Sequence, residues 1–318
     1  MKARIKSCLK TLFRAAVSIT LLVWLFQRVD LKEVISSFGV IPAGTWFSAF
    51  LLYLVSQVLS SARWSVLSRA LGFGGRFLTY VKFYFVGMFF NLFLPSAIGG
   101  DVLKAFFLSR GGNSRLKATY SIFCDRIIGL WAMFVLGAGA VIIAPGMLPD
   151  RFGMLLLASS AAMCLAVCFM PLIRDLLRKV FPVFYERLGF VMVYWERPRS
   201  LVVAFLLSLT LQFCGMYAVY LLALGLGLNC RPEFYFAAFP LVAILTILPI
   251  SVSGLGIREG GFVYFLGLKQ VPPEKAIVLS LAFFAVQAAA ALLGGAGYLA
   301  GVHRETVMAR EIMKERLG

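Results

Sequence analysis

Two glycine-rich breaks in apolar sequence hold the residues best suited to chemistry. The later one reads Leu248-Pro-Ile-Ser-Val-Ser-Gly-Leu-Gly-Ile-Arg-Glu-Gly-Gly261, and the earlier one Asn91-Leu-Phe-Leu-Pro-Ser-Ala-Ile-Gly-Gly-Asp101. Each gives Leu-Pro, then serine, then glycine, then charge. Proline lacks a backbone donor and clashes with the preceding turn, while glycine adds backbone freedom, so regular helix is not expected through Pro249–Gly256. A charged pair such as Arg258-Glu259 beside a break in apolar sequence marks a functional site by default. A short helix starting after each break, with turns at Gly99-Gly100 and Gly254–Gly256, aims unpaired N–H groups and positive partial charge at the bilayer middle, which suits an anion.

Each residue has a bland role beside the chemical one. Asp101 fits a helix start as N-cap or first-turn acid. Arg258, a cation where the helix dipole disfavours one, needs a partner. Glu259 or Asp101 supplies it internally, or a phosphate headgroup supplies it from outside, because arginine grips phosphate bidentately and stays charged when buried. Lys104 and Arg126, near the mouth of the first break, either meet an entering anionic lipid or mark the cytoplasmic side. Asn91 must satisfy its amide in apolar surroundings, and the broken backbone is the nearest partner. Gln57, Gln212 and Gln287 serve as glue between helices.

Several chemistries are excluded. Gly99-Gly100-Asp101 lacks the lysine–serine and strand context of a nucleotide loop. Ser251 and Ser253 have no histidine or second base to activate them. The chain has one histidine, His303, and its six cysteines lack metal-ligand spacing, so no metal, cofactor or catalytic residue is expected and the protein is not read as an enzyme. Cys164 and Cys168, on one helix face, are small apolar filler.

The elements that position the breaks are membrane spans. Hydrophobic residues make up 61% of the 318, charged residues 14%, and mean hydropathy is +0.91, more apolar surface than a soluble fold of this size hides. The formal net charge of +17 sits in loops, which points to topology and anionic headgroups rather than nucleic acid. A basic N-terminus followed by an apolar run to Phe26 lacks small residues for cleavage and reads as an uncleaved first span. Further spans are expected at 44–62 (ending in the interfacial pair Arg63-Trp64), 119–144, 152–172, 201–226 and 276–301. Residues 102–108 are too few to cross before Arg110, so the first break belongs to a re-entrant hairpin, and 234–268 to a second. Residues 172–199 alternate apolar and charged positions at helical spacing, as an interfacial amphipathic helix does.

With the N-terminus cytoplasmic, only Arg28, Lys32, Arg151, Arg231, Arg258, Lys269 and Lys275 of the 31 Lys and Arg fall outside cytoplasmic segments. Both termini are then cytoplasmic, the hairpins enter from opposite faces, and 44–144 and 201–301 form inverted repeats within one transmembrane domain, 1–318. Paired Gly/Pro-broken segments in matching halves point to a transporter-type site.

Together with Ser121-Ile-Phe-Cys-Asp-Arg126, the two breaks resemble the lysylphosphatidylglycerol synthase transmembrane, or flippase-like, family, and the resemblance covers essentially the whole chain. It implies a multi-pass bacterial or archaeal membrane protein that moves a polar lipid between leaflets. Larger members carry an aminoacyl-transferase or glycosyltransferase domain; neither is seen here, so synthase activity is not expected. The lipid stays open among aminoacylated phosphatidylglycerol, another phospholipid, a polyprenyl-phosphate-linked sugar and a hopanoid.

The expectation is therefore an all-α integral protein of the cell membrane, with about six full spans and two opposed re-entrant hairpins whose tips meet near the midplane. Arg258 holds a lipid phosphate, Glu259 and Asp101 balance it or contact a cationic headgroup, and Gly99, Gly100, Gly254 and Gly256 let the backbone approach. Its partners are anionic or phosphate-linked membrane lipids and, beyond them, a lipid-modifying enzyme. The rivals are a secondary transporter of a small soluble anion and a non-catalytic partner of a glycosyl- or acyltransferase, docked through 172–199.

Overall fold

The computed structural model describes residues 16–21, 23, 24, 27, 30–93, 99–109, 114–180, 189–247, 251 and 254–317. Among these the regular elements are helical: α1 (Leu31–Val40), α2 (Ala43–Ala70), α3 (Phe77–Phe93), α4 (Gly99–Leu108), α5 (Arg115–Ile143), α6 (Asp150–Val180), a 3₁₀ turn (Gly189–Met192), α7 (Val193–Glu196), α8 (Pro198–Gly225), α9 (Pro232–Ile247), α10 (Ile257–Gly267) and α11 (Pro273–Leu317). Local chemistry sets several starts. Asp30 caps α1 by accepting from Lys32 N, Ser114 caps α5 by accepting from Lys117 N, and Pro198 opens α8, where its missing N–H costs nothing.

Among the described residues, five helices are long and apolar enough to cross a bilayer: α2, α5, α6, α8 and the Pro273–Gly297 part of α11. These match five of the six expected spans; most of the first expected span lies outside the described residues. This is an all-α, multi-pass membrane protein. At 1.5 Å per residue α4 and α10 reach only ~15–17 Å, about half the hydrocarbon core, so neither crosses alone. Each packs against the helix before it, α4 on α3 and α10 on α9, which gives the two hairpins. Their tips, 94–98 and most of 248–253, lie outside the described residues, and so does the expected meeting of the tips.

The long α2–α8 pair forms the spine, and two cores flank it. One packs Met216, Leu222, Phe234, Tyr235, Phe265 and Leu279, and so holds the second hairpin. The other packs Trp64, Leu67, Tyr80, Tyr84, Ile128 and Tyr194 around the first hairpin. The last span, α11, touches both hairpins. Close backbone approach makes this possible, since a methyl at Gly294 would collide with the Phe85 carbonyl and one at Gly295 with the Phe89 ring.

Four expectations change. α2 runs on to Ala70, so Arg63 and Trp64 lie inside a helix and are buried rather than at an interface, because both have polar partners within the bundle. Residues 172–180 continue α6 through Pro171 instead of starting a separate helix; 181–188 lie outside the described residues, and 189–196 fold back with Tyr194 buried and donating to the Leu67 carbonyl at 3.1 Å. Gly99 and Gly100 are already helical, so they do not form the expected turn. Cys164 and Cys168 are exposed on α6 rather than filling a core.

Candidate functional site

The first hairpin is drawn together by small contacts before any charge enters. A methyl at Gly100 would strike the Gly87 carbonyl and lie 2.8 Å from Asn91, so the glycine lets α4 sit directly on α3. Asn91 Oδ1 accepts from Gly100 N at 2.7 Å, meeting the amide's need with backbone from the break. Asp101 follows in the first turn of α4, where the helix dipole favours a carboxylate.

Asp101 then gathers two cations. Arg126 of α5 grips it through two bonds, Nε to Oδ2 at 3.0 Å and Nη2 to Oδ1 at 2.9 Å. Lys104, one turn on, reaches Oδ1 at 2.8 Å. The Lys104 ammonium also lies 4.5 Å from the centre of the Tyr84 ring and 5.5 Å from that of Trp64, which helps a buried cation tolerate loss of water. The two cations differ in access. The Lys104 side chain is 3% exposed and that of Arg126 52%. One carboxylate against two cations leaves the cluster with one net positive charge.

A second pair lies behind the first. Arg63 Nε donates to Asp125 Oδ1 at 2.7 Å and Nη1 to Ser208 Oγ at 3.0 Å, tying α2 to α5 and α8. Asp125 is fully buried. Gly129, one turn after Asp125, leaves room for the guanidinium, since a methyl there would come within 2.7 Å of Arg63 Nη1. Gln212 Nε2 closes the same layer on the Gly129 carbonyl at 2.9 Å, and Trp64 Nε1 reaches Ser121 Oγ at 3.1 Å. Sequence reading placed Arg63 at the surface. The available signal was spacing: Ser60, Ser61, Ser65 and Ser68 make the surrounding stretch of α2 unusually small and polar, which admits a close neighbour.

The second hairpin gives a closed arrangement. Gly254 and Gly256 adopt φ of 77° and 84°, the left-handed turn that admits glycine readily. Gly256 is also tightly covered, because a methyl there would lie 2.7 Å from Leu21 Cβ. Glu259, buried, accepts from Gly256 N at 2.7 Å through Oε2, and through Oε1 from Arg258 Nη2 at 2.6 Å and Ser280 Oγ at 2.9 Å. Arg258 Nε also donates to Ser280 Oγ at 2.9 Å, and its guanidinium stacks 4.8 Å from the Phe284 ring. Its side chain is 11% exposed. This pair is neutral and held between α10 and α11.

Asp101, Lys104 and Arg126 thus form one cluster with Asn91 and Gly100 at its edge, while Arg258, Glu259, Gly254 and Gly256 form another; among the described residues no hydrogen bond or ion pair joins the two. Counting along the helices, Asp101 lies ~10 Å from the end of α4, Arg126 ~14 Å from Lys117, and Arg63 ~9 Å from Arg69. The described residues contain no group of His, Cys, Asp and Glu fit for a metal ion.

A family model, the lysylphosphatidylglycerol synthase TM region, matches residues 11–295. The chain belongs to this family. No curated protein matches it significantly. Membership in the lysylphosphatidylglycerol synthase TM-region family, together with the apolar helices, marks a multi-pass membrane protein of lipid-related function. Both charged clusters and both breaks lie inside the matched region.

Proposed function

We propose that the protein moves a polar, phosphate-containing lipid headgroup between leaflets while the acyl chains stay in the bilayer. The observation that carries this reading is Arg126: a half-exposed arginine in a cluster of one net positive charge, about 14 Å along its helix from Lys117. A guanidinium has five N–H donors, and Asp101 takes two of them, so the fork can still meet a phosphate. The neighbours on its own helix, Phe123 and Ile127, are exposed, as are Val102 and Phe106 beside Asp101. An arginine framed by exposed apolar side chains faces lipid laterally. That favours a lipid over a soluble anion, which needs an enclosed cavity.

In this reading Arg126 docks the phosphate, and Asp101 holds and orients the guanidinium until the headgroup arrives. Lys104 holds Asp101 when the headgroup draws Arg126 away, so no carboxylate is stranded. Arg258 is the second station: its pair with Glu259 must open before it meets a headgroup. Positive residues crowd the end that carries Arg69, Arg76, Arg115 and Lys117, so that end is assigned to the cytoplasm of a cell membrane, with both termini on the same side. The hairpin units 44–144 and 201–301 act as inverted repeats. No covalent step belongs to this reading, and a separate lipid-modifying enzyme is the partner it suits.

The test is mass spectrometry of lipids retained through gentle purification, comparing wild type with Arg126→Gln. Selective enrichment of a phosphate-bearing lipid, lost in the variant, supports the reading. Unselective bulk lipid in both sinks it.

A further inference from the structure

Two aromatic rings and a carboxylate meet behind Arg126, in the arrangement that recognises an ammonium group. Trp64 of α2 and Tyr84 of α3 supply the rings, and Asp101 of α4 supplies the charge. Such cages bind organic cations through the ring quadrupoles and a charge-assisted hydrogen bond. Their walls are fixed here. Trp64 is fully buried, its indole N–H donates to Ser121 Oγ at 3.1 Å, and its ring lies edge-on to Tyr80 with centres 5.3 Å apart. Tyr84 is buried as well.

The chain fills this cage itself. Lys104 places its ammonium 2.8 Å from Asp101 Oδ1, 4.5 Å from the centre of the Tyr84 ring and 5.5 Å from that of Trp64. The lysine is buried, so it acts as a plug rather than as a second open cation.

The neighbouring acids are engaged too. Asp101 meets Lys104 and Arg126 Nη2 through Oδ1, and Arg126 Nε through Oδ2. Glu259 accepts from Gly256 N on one oxygen and from Arg258 and Ser280 on the other. Asp125 keeps Oδ2 without a partner, but the residue is fully buried in its pair with Arg63. Among the described residues, neither cluster therefore offers an open carboxylate. A headgroup docked on Arg126 finds donors for its phosphate. An ammonium on the same headgroup meets a like charge in Arg126 and finds the cage behind it occupied.

We infer that Lys104 is the specificity-determining residue of the headgroup site: by occupying the Trp64–Tyr84–Asp101 cage it restricts the lipid to headgroups that carry phosphate and no ammonium. Selection by Lys104 rests on the docking of phosphate at Arg126 proposed above. The lipid class it names is a phospholipid of net negative charge, rather than a zwitterionic or aminoacylated one. A built-in competitor that rejects the wrong ligand is one of the two routes to specificity, the other being better contacts to the right one.

The test uses the full chain, delipidated in neutral detergent, with native mass spectrometry counting bound lipid. The probes are dihexanoyl phosphatidylglycerol, dihexanoyl phosphatidylethanolamine and the lysyl ester of dihexanoyl phosphatidylglycerol. Wild type should bind the first at least tenfold more tightly than either ammonium-bearing lipid. Lys104→Ala empties the cage while Arg126 keeps Asp101 paired, so it should bind phosphatidylethanolamine at least tenfold more tightly than wild type does. Lys104→Met fills the same space without charge and should show no such gain, whereas loss of a merely structural lysine would weaken all three lipids together. Wild type that binds either ammonium-bearing lipid as tightly as phosphatidylglycerol overturns the role of Lys104 and leaves phosphate docking standing. That comparison needs no variant, so it decides the matter even if Lys104→Ala fails to fold. A folded Lys104→Ala with the wild-type preference also overturns it, and wild type that binds none of the three overturns the docking reading with it.

Discussion

Asp125 and Arg126 are adjacent in sequence and face opposite environments: Asp125 is fully buried against Arg63, whereas the Arg126 side chain is 52% exposed and clasps Asp101. Successive residues of a helix point about 100° apart, so one dipeptide can serve an interior bond and an open site at once. The consequence is mechanical. α5 is anchored to α2 by the buried carboxylate's bond to Arg63, which also reaches Ser208 of α8, and this anchored helix presents the exposed guanidinium to the first hairpin.

The buried pair should be costly to halve and cheap to replace. Removing one member leaves an uncompensated charge in a low-dielectric interior, a loss of about 3–5 kcal/mol. Arg63→Met or Asp125→Leu alone should therefore lower thermal stability in detergent sharply, and the double variant should recover much of it. Single variants as stable as wild type contradict the buried pairing.

Gly100 is predicted to be intolerant for a steric reason. A methyl there would collide with the Gly87 carbonyl and crowd Asn91, so Gly100→Ala must push α4 off α3 at a cost of about 1–3 kcal/mol. Gly139→Ala, with open space around the added atom, should be neutral or slightly stabilising. Thermal unfolding of the two variants checks the contrast, and equal effects argue against close packing in the hairpin.

Arg258, Glu259 and Ser280 should behave as one unit. Glu259 Oε1 accepts from both of the others, so removing it strands Arg258 as well as the Gly256 amide. A double-mutant cycle on Arg258→Ala and Glu259→Ala should give a coupling energy of about 1–3 kcal/mol in unfolding stability. Additive effects would mean that the pair is formed only weakly. Glu259→Ala alone should be the more damaging single change, because the carboxylate serves the backbone and the arginine does not.

Much of the architecture was readable because spans are long and breaks are conspicuous. Gly254 and Gly256 take positive φ just before α10, where glycine permits the turn, and Asn91 accepts from the Gly100 backbone through its amide oxygen, as its apolar surroundings required. What escaped reading depended on three-dimensional neighbours. Arg63 beside Trp64 has the composition of an interfacial pair, and only the approach of Asp125 and Ser208 from other helices makes it an interior one. Gly99 and Gly100 have the composition of a turn, but Gly100 serves packing against Gly87. Residues 172–180 have an amphipathic pattern and yet continue α6, because Pro171 is accommodated within the helix. The relative openness of Arg126 and Arg258 was invisible in sequence, since both are arginines beside an acid.

The most direct measurement is headgroup translocation in proteoliposomes, following a short-chain fluorescent phospholipid made inaccessible to dithionite as it crosses. Wild type should accelerate crossing over protein-free vesicles. Arg126→Gln should cut the protein-dependent rate at least tenfold, with Arg126→Lys intermediate, because lysine keeps the charge and loses the bidentate fork. Reconstituted protein must show unchanged stability in each case, as expected for a half-exposed side chain. Translocation by Arg126→Gln at the wild-type rate would contradict the assignment of Arg126 as the phosphate dock.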